Sequence, residues 1–512
     1  MAQSKWQGQV HGQADPSEPL VGPSPPVVRI PREVRQSDQV NEAYSQALDD
    51  HGPVVIVPRH GRNEYVIDHR YAYEVLTDSK NFTFEKAAFE LLHFGFIALF
   101  DTNGRFVHDV DSLVETGVQP RMTCIIDQVL PVFQAYFDRM MDELPSVPDE
   151  KNHGPEVELS DVFSRIQLAV AHAMVVMILG PAHGSSVTAG HVAAVAVAMA
   201  NLTGMHENTH EWVWAPRLWV ICNGLSAIFF TIVPRFFFAV VPTLWRTRHE
   251  HLENGLAARG VEFVPLFDTL LVKNYHGKAG WRALTGFAWC VIICVGMIFA
   301  SVHQTVVAGF WVLIKLAQKQ DEYLPAIREE WESIMQSNDG GDSHRQGQLS
   351  VKRLNQLTLL DSFIREVLRT KGDTWGPVRQ TTKPVRIGPY VLPKDAMCLV
   401  LISRAHRHPD NYGKQGAAFD GFQWQKKGRP AVQGNAEFLT FGLGRWACPG
   451  RQLAIHEIKI LMYMFFSRFD IRLKGNSFRV TNTINTTSVA PEATLLFRKR
   501  LDGNPNSGGH RY

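Results

Sequence analysis

Apolar runs and helical repeats alternate along the chain and predict its first elements. Residues 53–57 are almost wholly apolar, a turn around Gly61 follows, and residues 65–67 are apolar again, so this stretch predicts a β-hairpin. From Asp109 to Leu144 and from Leu159 to Leu179, apolar residues recur at intervals of three and four. That spacing places them on one helix face, and the middle of the chain is therefore predicted to be mostly helical.

The second half of the chain adds a charged helix, short strands and one further helix. We find no internal repeat and no interior linker, so the pattern predicts one continuous domain, mainly α with a small β region, over residues 44–501. A polar, proline-rich segment (residues 1–43) precedes it, and a flexible tail rich in Gly, Asn and Ser (residues 502–512) follows. The predicted elements are a helix from Gln320 to Lys371, strands between Val385 and Leu401, an irregular segment from His406 to Glu437, a helix from Pro449 to Phe469, and strands at residues 471–473 and 494–497.

Two segments are unusually apolar. Leu218 to Val241 is rich in phenylalanine and is broken by Pro234, and Phe287 to Ile314 is interrupted by polar residues around His303. Each is long enough to enter a bilayer, although a helix buried in a large core has the same composition. A non-catalytic polytopic membrane protein is therefore one alternative at this stage.

The composition is that of a globular protein with a large core, since 45% of residues are hydrophobic and 20% are charged. The 52 Lys and Arg residues against 50 Asp and Glu leave a charge of +2, which argues against nucleic-acid binding driven by net charge. The six cysteines form no CxxC pair, so we expect no disulfide scaffold and reduced surroundings. Because the N-terminal segment is polar and rich in proline, we expect neither a signal peptide nor an N-terminal membrane anchor.

Cys448 lies in a glycine-containing loop directly ahead of a predicted helix. Gly442, Gly444 and Gly450 let the backbone approach a flat group closely, and the helix N-terminus beyond the sulfur favours a thiolate. One cysteine cannot hold a structural zinc ion, which takes about four protein ligands, but it can be the axial protein ligand of haem iron. A tight turn that contains a buried cysteine is the alternative left open by the local chemistry.

The run from Phe441 to Gly450 resembles the haem-binding loop of cytochrome P450 enzymes, Phe-x-x-Gly-x-(His/Arg)-x-Cys-x-Gly, and its continuation is most similar to fungal members. Glu366 and Arg369 resemble the family's Glu-x-x-Arg motif. Alone, such a pair is usually a solvated ion pair, whereas the resemblance implies a buried network that supports the haem pocket. The resemblance also implies the family's fold, a mainly α helical prism with a small β region around a buried haem.

The resemblance implies that haem b, an iron protoporphyrin IX with an axial thiolate, is bound with Cys448 as the metal ligand. Arg379 stands where the family commonly places a partner of a haem propionate, although a surface strand arginine is the alternative. Trp446 replaces the usual His or Arg near a propionate, so we expect propionate binding by Arg379 or Arg445. The residues expected to contact the cofactor are Ala300, Arg379, Phe441, Gly444, Arg445, Trp446 and Gly450.

Residues 300–305 are similar to the family's oxygen-binding helix, and the candidate catalytic residues are His303, Gln304 and Thr305. His303 takes the position of the family's acid, as in many fungal relatives, although it could equally be a core histidine bonded to a carbonyl. Gln304 takes the position of the threonine that helps deliver protons, and a carboxamide relays protons less readily. Thr305 beside it is expected to substitute in part.

A further departure concerns Gln423, which stands where an arginine normally joins Glu366 and Arg369. The network around that pair is therefore predicted to lack one positive charge.

The resemblance implies an oxidoreductase that hydroxylates, epoxidises or oxidatively cyclises or rearranges an apolar secondary metabolite such as a terpenoid, polyketide or alkaloid. Because the chain carries no flavin or nicotinamide fingerprint, we expect the electrons to come from a separate NADPH-cytochrome P450 reductase, with O2 as co-substrate. Because Gln304 replaces the threonine, the alternative is a haem-thiolate isomerase, cyclase or peroxide-using enzyme that needs no reductase.

Residues 218–241 fall where the family has its substrate-channel lid, and we expect them to make the main membrane contact through Phe236 to Phe238. The protein is expected to be a monomer on the cytoplasmic face of the endoplasmic reticulum membrane, either peripheral or partly inserted.

Overall fold

Most of the described chain is helical, and its strands form three small sheets, which confirms the predicted mainly α class. The structure is a computed structural model, and it describes residues 20–35, 37–59, 62–91, 104–145, 155–202, 215–260, 262–337, 349–414, 416, 418–482 and 486–500. The predicted tail, residues 502–512, lies outside the described residues.

Helices fill the middle of the described chain, and the stretch predicted as one helix from Gln320 to Lys371 contains three of them. The helices of the described residues are Arg32–Arg35 (α1), Val40–His51 (α2), Ala72–Thr77 (α3), Glu85–Leu91 (α4), Arg105–Leu113 (α5), Met122–Glu143 (α6), Val162–Leu179 (α7), Ser186–Leu202 (α8), Pro216–Ala227 (α9), Val241–Ala257 (α10), Leu266–Asn274 (α11), Gly280–Ile298 (α12), Gln304–Gln318 (α13), Gln320–Gln336 (α14), Val351–Gln356 (α15), Thr358–Thr370 (α16), Ile402–Arg407 (α17), Pro409–Tyr412 (α18), Gln423–Lys426 (α19) and Arg451–Arg468 (α20). Wider π-helical turns occupy Val114–Val118, Ile228–Phe238 and Phe299–His303.

The strands are Val54–Arg59 (β1), Arg62–Ile67 (β2), Phe82–Thr83 (β3), Val157–Leu159 (β4), Trp375–Thr381 (β5), Val385–Ile387 (β6), Tyr390–Leu392 (β7), Met397–Leu401 (β8), Phe469–Leu473 (β9) and Leu495–Lys499 (β10). The predicted hairpin is present, because β1 and β2 pair antiparallel with Val54 opposite Ile67. The largest sheet has the order β1-β2-β8-β5-β3, and β4-β10-β9 and β6-β7 form the other two. Strand β5 leads directly out of α16, so the sheet and the helices share one short connection.

The segment before the hairpin also contacts the sheet. The Val28 amide donates to the Ile56 carbonyl at 2.8 Å, and the Ile56 amide donates to the Pro26 carbonyl at 2.8 Å. Part of the segment that the sequence separated from the domain therefore packs against it.

Three helical stretches of the described chain are long and apolar enough to cross a membrane, judged by length and composition alone. The share of the apolar window that is buried inside the protein is 72% for Val162–Leu179 and 50% for Gly280–Gln318, but only 28% for Ile221–Ala257. The second apolar segment of the sequence lies within Gly280–Gln318, and its side chains at Cys290, Cys294 and Trp311 are buried in the core. Core packing explains the apolar character of that segment.

The first apolar segment presents its aromatic rings to the outside of the protein. Phe229, Phe230 and Phe238 are 61%, 79% and 72% exposed, whereas Phe236 is completely buried and packs in the core. The expectation that Phe236 to Phe238 form one exposed group is therefore wrong for Phe236. Consecutive positions of a helical turn point in different directions, so a run of apolar residues is divided between core and surface.

The Glu366–Arg369 pair is buried, as the resemblance implied, and is not a solvated ion pair. Arg369 donates to both carboxylate oxygens of Glu366 at 2.9 Å and 2.6 Å. Its remaining hydrogen bonds go to the backbone carbonyls of His406, Gly416 and Ala418, at 2.7 Å, 2.5 Å and 2.9 Å. The pair therefore ties α16 to the irregular segment that precedes the cysteine loop.

The residue that completes this network is Trp424. Its indole nitrogen donates to Glu366 at 2.8 Å, and the Asp420 amide donates to the same carboxylate at 3.0 Å. The Gln423 side chain instead accepts a hydrogen bond from Lys427 at 2.6 Å. The network thus holds a neutral N–H donor in place of a second arginine, and the donor comes from the residue after the one that the motif comparison indicated.

We expect Trp424→Phe to lower the free energy of unfolding by about 1–3 kcal/mol, because it leaves a buried carboxylate with one donor fewer. Gln423→Ala is the matched control, and it should change the free energy of unfolding by less than about 0.5 kcal/mol. Urea denaturation of the holoenzyme followed by circular dichroism measures both. Equal effects of the two substitutions would contradict the assignment of Trp424 to the network.

Candidate functional site

The loop that carries Cys448 is held in place by its own backbone. The Cys448 amide donates to the Phe441 carbonyl at 2.7 Å, and the Ala447 amide donates to Gly444 at 3.1 Å. Gly444 has a φ of +73°, and a Cβ at this position would lie 2.5 Å from the Leu76 carbonyl oxygen. Only glycine fits there, so the close approach of the loop to residue 76 depends on this position.

The thiol of Cys448 lies just before the N-terminus of α20. Although Cys448 is exposed, desolvation by the surrounding protein raises the pKa of this thiol, and the amide N–H groups of Gly450 and Arg451, with the charge of Arg451, oppose that rise in part. The helix N-terminus therefore acts in the expected direction, toward the thiolate. A sulfur that binds a metal ion gives up its proton under the ion's charge, so this environment suits a metal-bound thiolate.

One cavity of about 640 Å³ joins Cys448 to the segment that the sequence singled out for catalysis. Its volume is within the roughly 300–1,000 Å³ of small-molecule and cofactor sites. Ala300, Gln304 and Thr305 line this cavity together with the cysteine. Most of the other lining residues are apolar, and they include Phe84, Phe89, Phe106, Val110, Met297 and Leu453.

Gln304 and Thr305 follow directly on the π turn Phe299–His303. A π turn inside a long helix frequently marks a functional site, because it displaces the side chains that follow. The Gln304 amide nitrogen donates to the Ser488 hydroxyl at 3.1 Å. The cavity wall on this side is therefore built from two chain segments that are far apart in sequence.

His303 is buried beside the cavity lining and is not part of it. Its Nε2 lies 2.7 Å from the Ser488 carbonyl oxygen, and burial lowers the pKa of the imidazole. A neutral imidazole that donates to a backbone carbonyl is what we expected if His303 were a core histidine and not a catalytic residue. The structure therefore places Gln304 and Thr305, but not His303, in contact with the cavity.

Arg379 on β5 is fully buried and lines the same cavity. Its guanidinium donates to the carbonyls of Val378, Leu76 and Leu443, and within the described residues its Nε has no hydrogen-bond partner. Burial lowers the pKa of Arg379 to about 10. A buried guanidinium with an unpaired N–H fits an anionic group in the cavity, and a surface strand arginine is excluded.

Trp446, which replaces the usual propionate donor, and its neighbour Arg445 differ in their relation to the cavity. Trp446 lines the cavity, but its indole nitrogen already donates to Glu85 at 3.1 Å, and its ring lies 4.9 Å from the Arg379 guanidinium. Arg445 is exposed and is not among the lining residues, like Gly444. Of the two arginines considered, Arg379 is the one that the fold presents to the cavity. Phe441 and Gly450 line the cavity as well.

The residues of this site fit a flat, largely apolar prosthetic group with acidic side chains. A cysteine sulfur is available as a metal ligand, apolar walls surround the cavity, and Arg379 offers charge and an unpaired donor. This is the donor set that haem needs, so the expected cofactor and the observed site agree.

The same cavity has a polar part that the sequence did not indicate. Lys371 and Asp373 line it, and both contact the turn at residues 486–488. The available signal was a Lys-Gly-Asp sequence directly after α16. Thr487, which accepts a hydrogen bond from Lys371, is 116 residues away in the sequence, so no local pattern indicated the contact.

Known proteins that are similar to this chain are consistent with a cysteine-ligated haem in this cavity. A family model described as Cytochrome P450 matches residues 19–495. Beta-amyrin 11-oxidase of Glycyrrhiza uralensis is 28% identical over 45% of this chain and 44% of that protein, and Cytochrome P450 monooxygenase 151 of Postia placenta is 28% identical over 40% and 41%. The alignments thus span less than half the length of these curated relatives.

The solved structure of cyanobacterial CYP120A1 with bound retinoic acid is similar to this fold with a TM-score of 0.60, at 15% identity, over 94% of this chain and all of that one. At that identity the likeness shows the fold alone. The family model matches most of the chain, and the cysteine loop, the cavity and the fold agree with that match. This chain therefore belongs to the cytochrome P450 family.

Proposed function

We propose that this protein is a haem-thiolate monooxygenase that oxidises a largely apolar small molecule, using O2 and electrons from a separate NADPH-dependent reductase. The observation that carries the proposal is that the Cys448 sulfur and the polar residues Gln304 and Thr305 line one mostly apolar cavity. A haem bound through a cysteine thiolate supplies O–O bond cleavage and C–H oxidation. In this proposal Cys448 is the iron ligand and Arg379 binds a propionate.

Thr305 is proposed to hold the proton donor of the site. Its hydroxyl can both donate and accept a hydrogen bond, so it can orient a water molecule inside the cavity. Gln304 has no exchangeable acid proton, and its amide is bonded to Ser488, so it is proposed to position the residue 486–488 turn. His303 is proposed to act as a structural residue, because it is not among the cavity-lining residues and its ring donates to the Ser488 carbonyl.

The substrate is proposed to be a secondary metabolite such as a terpenoid, polyketide or alkaloid, of the kind handled in fungi. The apolar lining supports a largely apolar molecule. Some relatives are fungal monooxygenases, and others are named for oxidation of beta-amyrin or abscisic acid, which supports small organic substrates.

A second candidate function is a haem-thiolate isomerase, cyclase or peroxide-using enzyme. The observation that favours it is Gln304 at the position of the expected threonine, with its amide committed to Ser488. An enzyme of this class needs neither reductase nor O2, so the two candidates differ in a measurable requirement.

Cys448→Ala should abolish the thiolate-ligated band in the reduced carbon monoxide difference spectrum, because no other described cysteine lines the cavity. Cys222→Ala is the matched control, since Cys222 is exposed and lies away from the cavity lining, and it should keep the band. A spectrum that Cys448→Ala leaves unchanged after haem supplementation would rule out the proposal.

Product formation should require NADPH, reductase and O2 together, and Gln304→Thr should raise the fraction of consumed NADPH that appears as product, because it adds a hydroxyl for proton delivery. Gln304→Leu is the control for loss of the tether to Ser488, and it should not raise that fraction. Parallel measurements of NADPH oxidation and product give the ratio. Turnover that persists without reductase and O2 would instead support the second candidate.

The membrane contact is proposed to be an exposed aromatic patch, defined by Phe229, Phe230 and Phe238, on the π-helical stretch Ile228–Phe238. Nearby on the same helical stretch, Ile221 and Leu225 are also largely exposed. Aromatic and aliphatic side chains exposed together on one amphipathic segment partition into the membrane interface. The patch supports a peripheral or partly inserted enzyme, and its place is proposed to be the cytoplasmic face of the endoplasmic reticulum.

Replacing all three residues of the exposed aromatic patch by Ser should weaken binding to phosphatidylcholine vesicles by at least about tenfold, because the loss of a single Phe contact, roughly 1.5–3 kcal/mol, already corresponds to that factor. Sedimentation of the holoenzyme with vesicles measures the bound fraction. Val187→Ser changes another exposed apolar residue, on α8, and should leave binding unchanged. Equal binding of the triple variant and the wild type would refute the patch.

A further inference from the structure

A buried charged pair lies in the wall of the otherwise apolar cavity. Lys371 and Asp373 follow α16, are only 6% and 4% exposed, and both line the cavity. The Lys371 ammonium donates to Asp373 Oδ1 and, at 2.9 Å, to the Thr487 hydroxyl. Removing two charges from water costs several kcal/mol per ion, so an apolar pair would suit a purely apolar cavity better.

One carboxylate oxygen of Asp373 accepts three hydrogen bonds. Asp373 Oδ1 accepts from Lys371, from the Thr486 hydroxyl and, at 2.7 Å, from the Thr487 hydroxyl. Although burial alone would raise the pKa of Asp373, the ammonium and the two hydroxyls hold it below its usual value. Burial lowers the pKa of the Lys371 ammonium, and the neighbouring Asp373 carboxylate opposes that shift, so each group of the pair favours the charged form of the other.

The ammonium of this pair keeps one donor available. An ammonium has three N–H donors, and two of those of Lys371 are used by Asp373 and Thr487. Within the described residues, no protein acceptor takes the third. An uncommitted, charge-assisted donor in a cavity wall is worth more to a ligand than a neutral donor, because hydrogen bonds to charged groups are the stronger ones.

The polar groups next to the pair form one continuous edge of the cavity. Ser488 follows Thr487 in the chain, and the Ser488 hydroxyl accepts from Gln304. All of these residues line the cavity, and Gln304 lies on the helix that carries Thr305. The polar edge thus reaches from the charged pair to the proposed proton donor, and the remaining walls are apolar.

We propose that the Lys371–Asp373 pair anchors a neutral oxygen-bearing group, a carbonyl or hydroxyl, at one end of an otherwise apolar substrate. A carboxylate is disfavoured there, because it would add a second buried anion beside Asp373. The inference rests on the proposed function in taking this cavity as the substrate site. It narrows the substrate class to apolar molecules that already carry an oxygen function.

The test compares three ring compounds of similar size that differ in polarity: cyclododecane, cyclododecanone and cyclododecanecarboxylate. Equilibrium dialysis and the spin-state shift of the haem measure their affinities for the wild-type holoenzyme. We expect the ketone to bind about tenfold more tightly than the hydrocarbon, as expected for one charge-assisted hydrogen bond, and more tightly than the carboxylate. Equal affinities for ketone and hydrocarbon, or tightest binding of the carboxylate, would overturn the proposal without any variant.

The double variant Lys371→Met, Asp373→Leu should bring the ratio of ketone to hydrocarbon affinity to about one, since replacing both charges by apolar groups leaves no unpaired ion. Val110→Ala, in the apolar wall, is the control, and it should weaken both ligands without changing their ratio. A ratio that survives in the double variant would overturn the proposal. The carbon monoxide difference spectrum of the wild type distinguishes failure of the proposed function from failure of the anchor. A missing thiolate band refutes the proposed function, whereas a normal band together with equal affinities for ketone and hydrocarbon refutes only the anchor.

Discussion

A buried guanidinium fixes the part of the protein that shapes the cavity. Arg369 has to satisfy its donors away from water, and it does so with Glu366 and three backbone carbonyls. Each buried donor left unpaired would cost about 1–3 kcal/mol, so this end of α16 has one favourable position. The chain that leaves it carries Lys371, Asp373 and Arg379 to the cavity wall within a few residues.

The charged and ionisable groups of the site are poorly stabilised by the protein alone. Burial raises the pKa of the Cys448 thiol, and burial lowers the pKa of Arg379, which has a donor without a partner among the described residues. Both shifts disfavour the charged forms, the Cys448 thiolate and the Arg379 guanidinium. A single ligand that carries a metal ion and carboxylates would stabilise both charged forms. A haem, which carries a metal ion and carboxylates, is therefore complementary to this site in charge. The Lys371–Asp373 pair differs, because its two charges compensate each other.

Segments of similar hydropathy have different surroundings in this fold. The stretch Gly280–Gln318 begins at the surface, enters the core and brings polar side chains to the cavity at a π turn, whereas Ile228–Phe238 exposes an aromatic patch. Hydropathy measures the preference of a segment for an apolar environment, and it does not distinguish core, cavity and membrane. That distinction follows from which helices pack against each segment.

Local periodicity, glycine spacing and a short motif were enough to predict the mainly α class, the hairpin, the family resemblance and Cys448 as the candidate ligand. Which residues meet depends on the packed fold. In the fold, Trp424 and not Gln423 donates to Glu366, His303 lies outside the cavity lining, and Lys371 contacts a turn that is remote in sequence. Side-chain direction and long-range contact depend on packing between distant segments, and no local pattern carries that information.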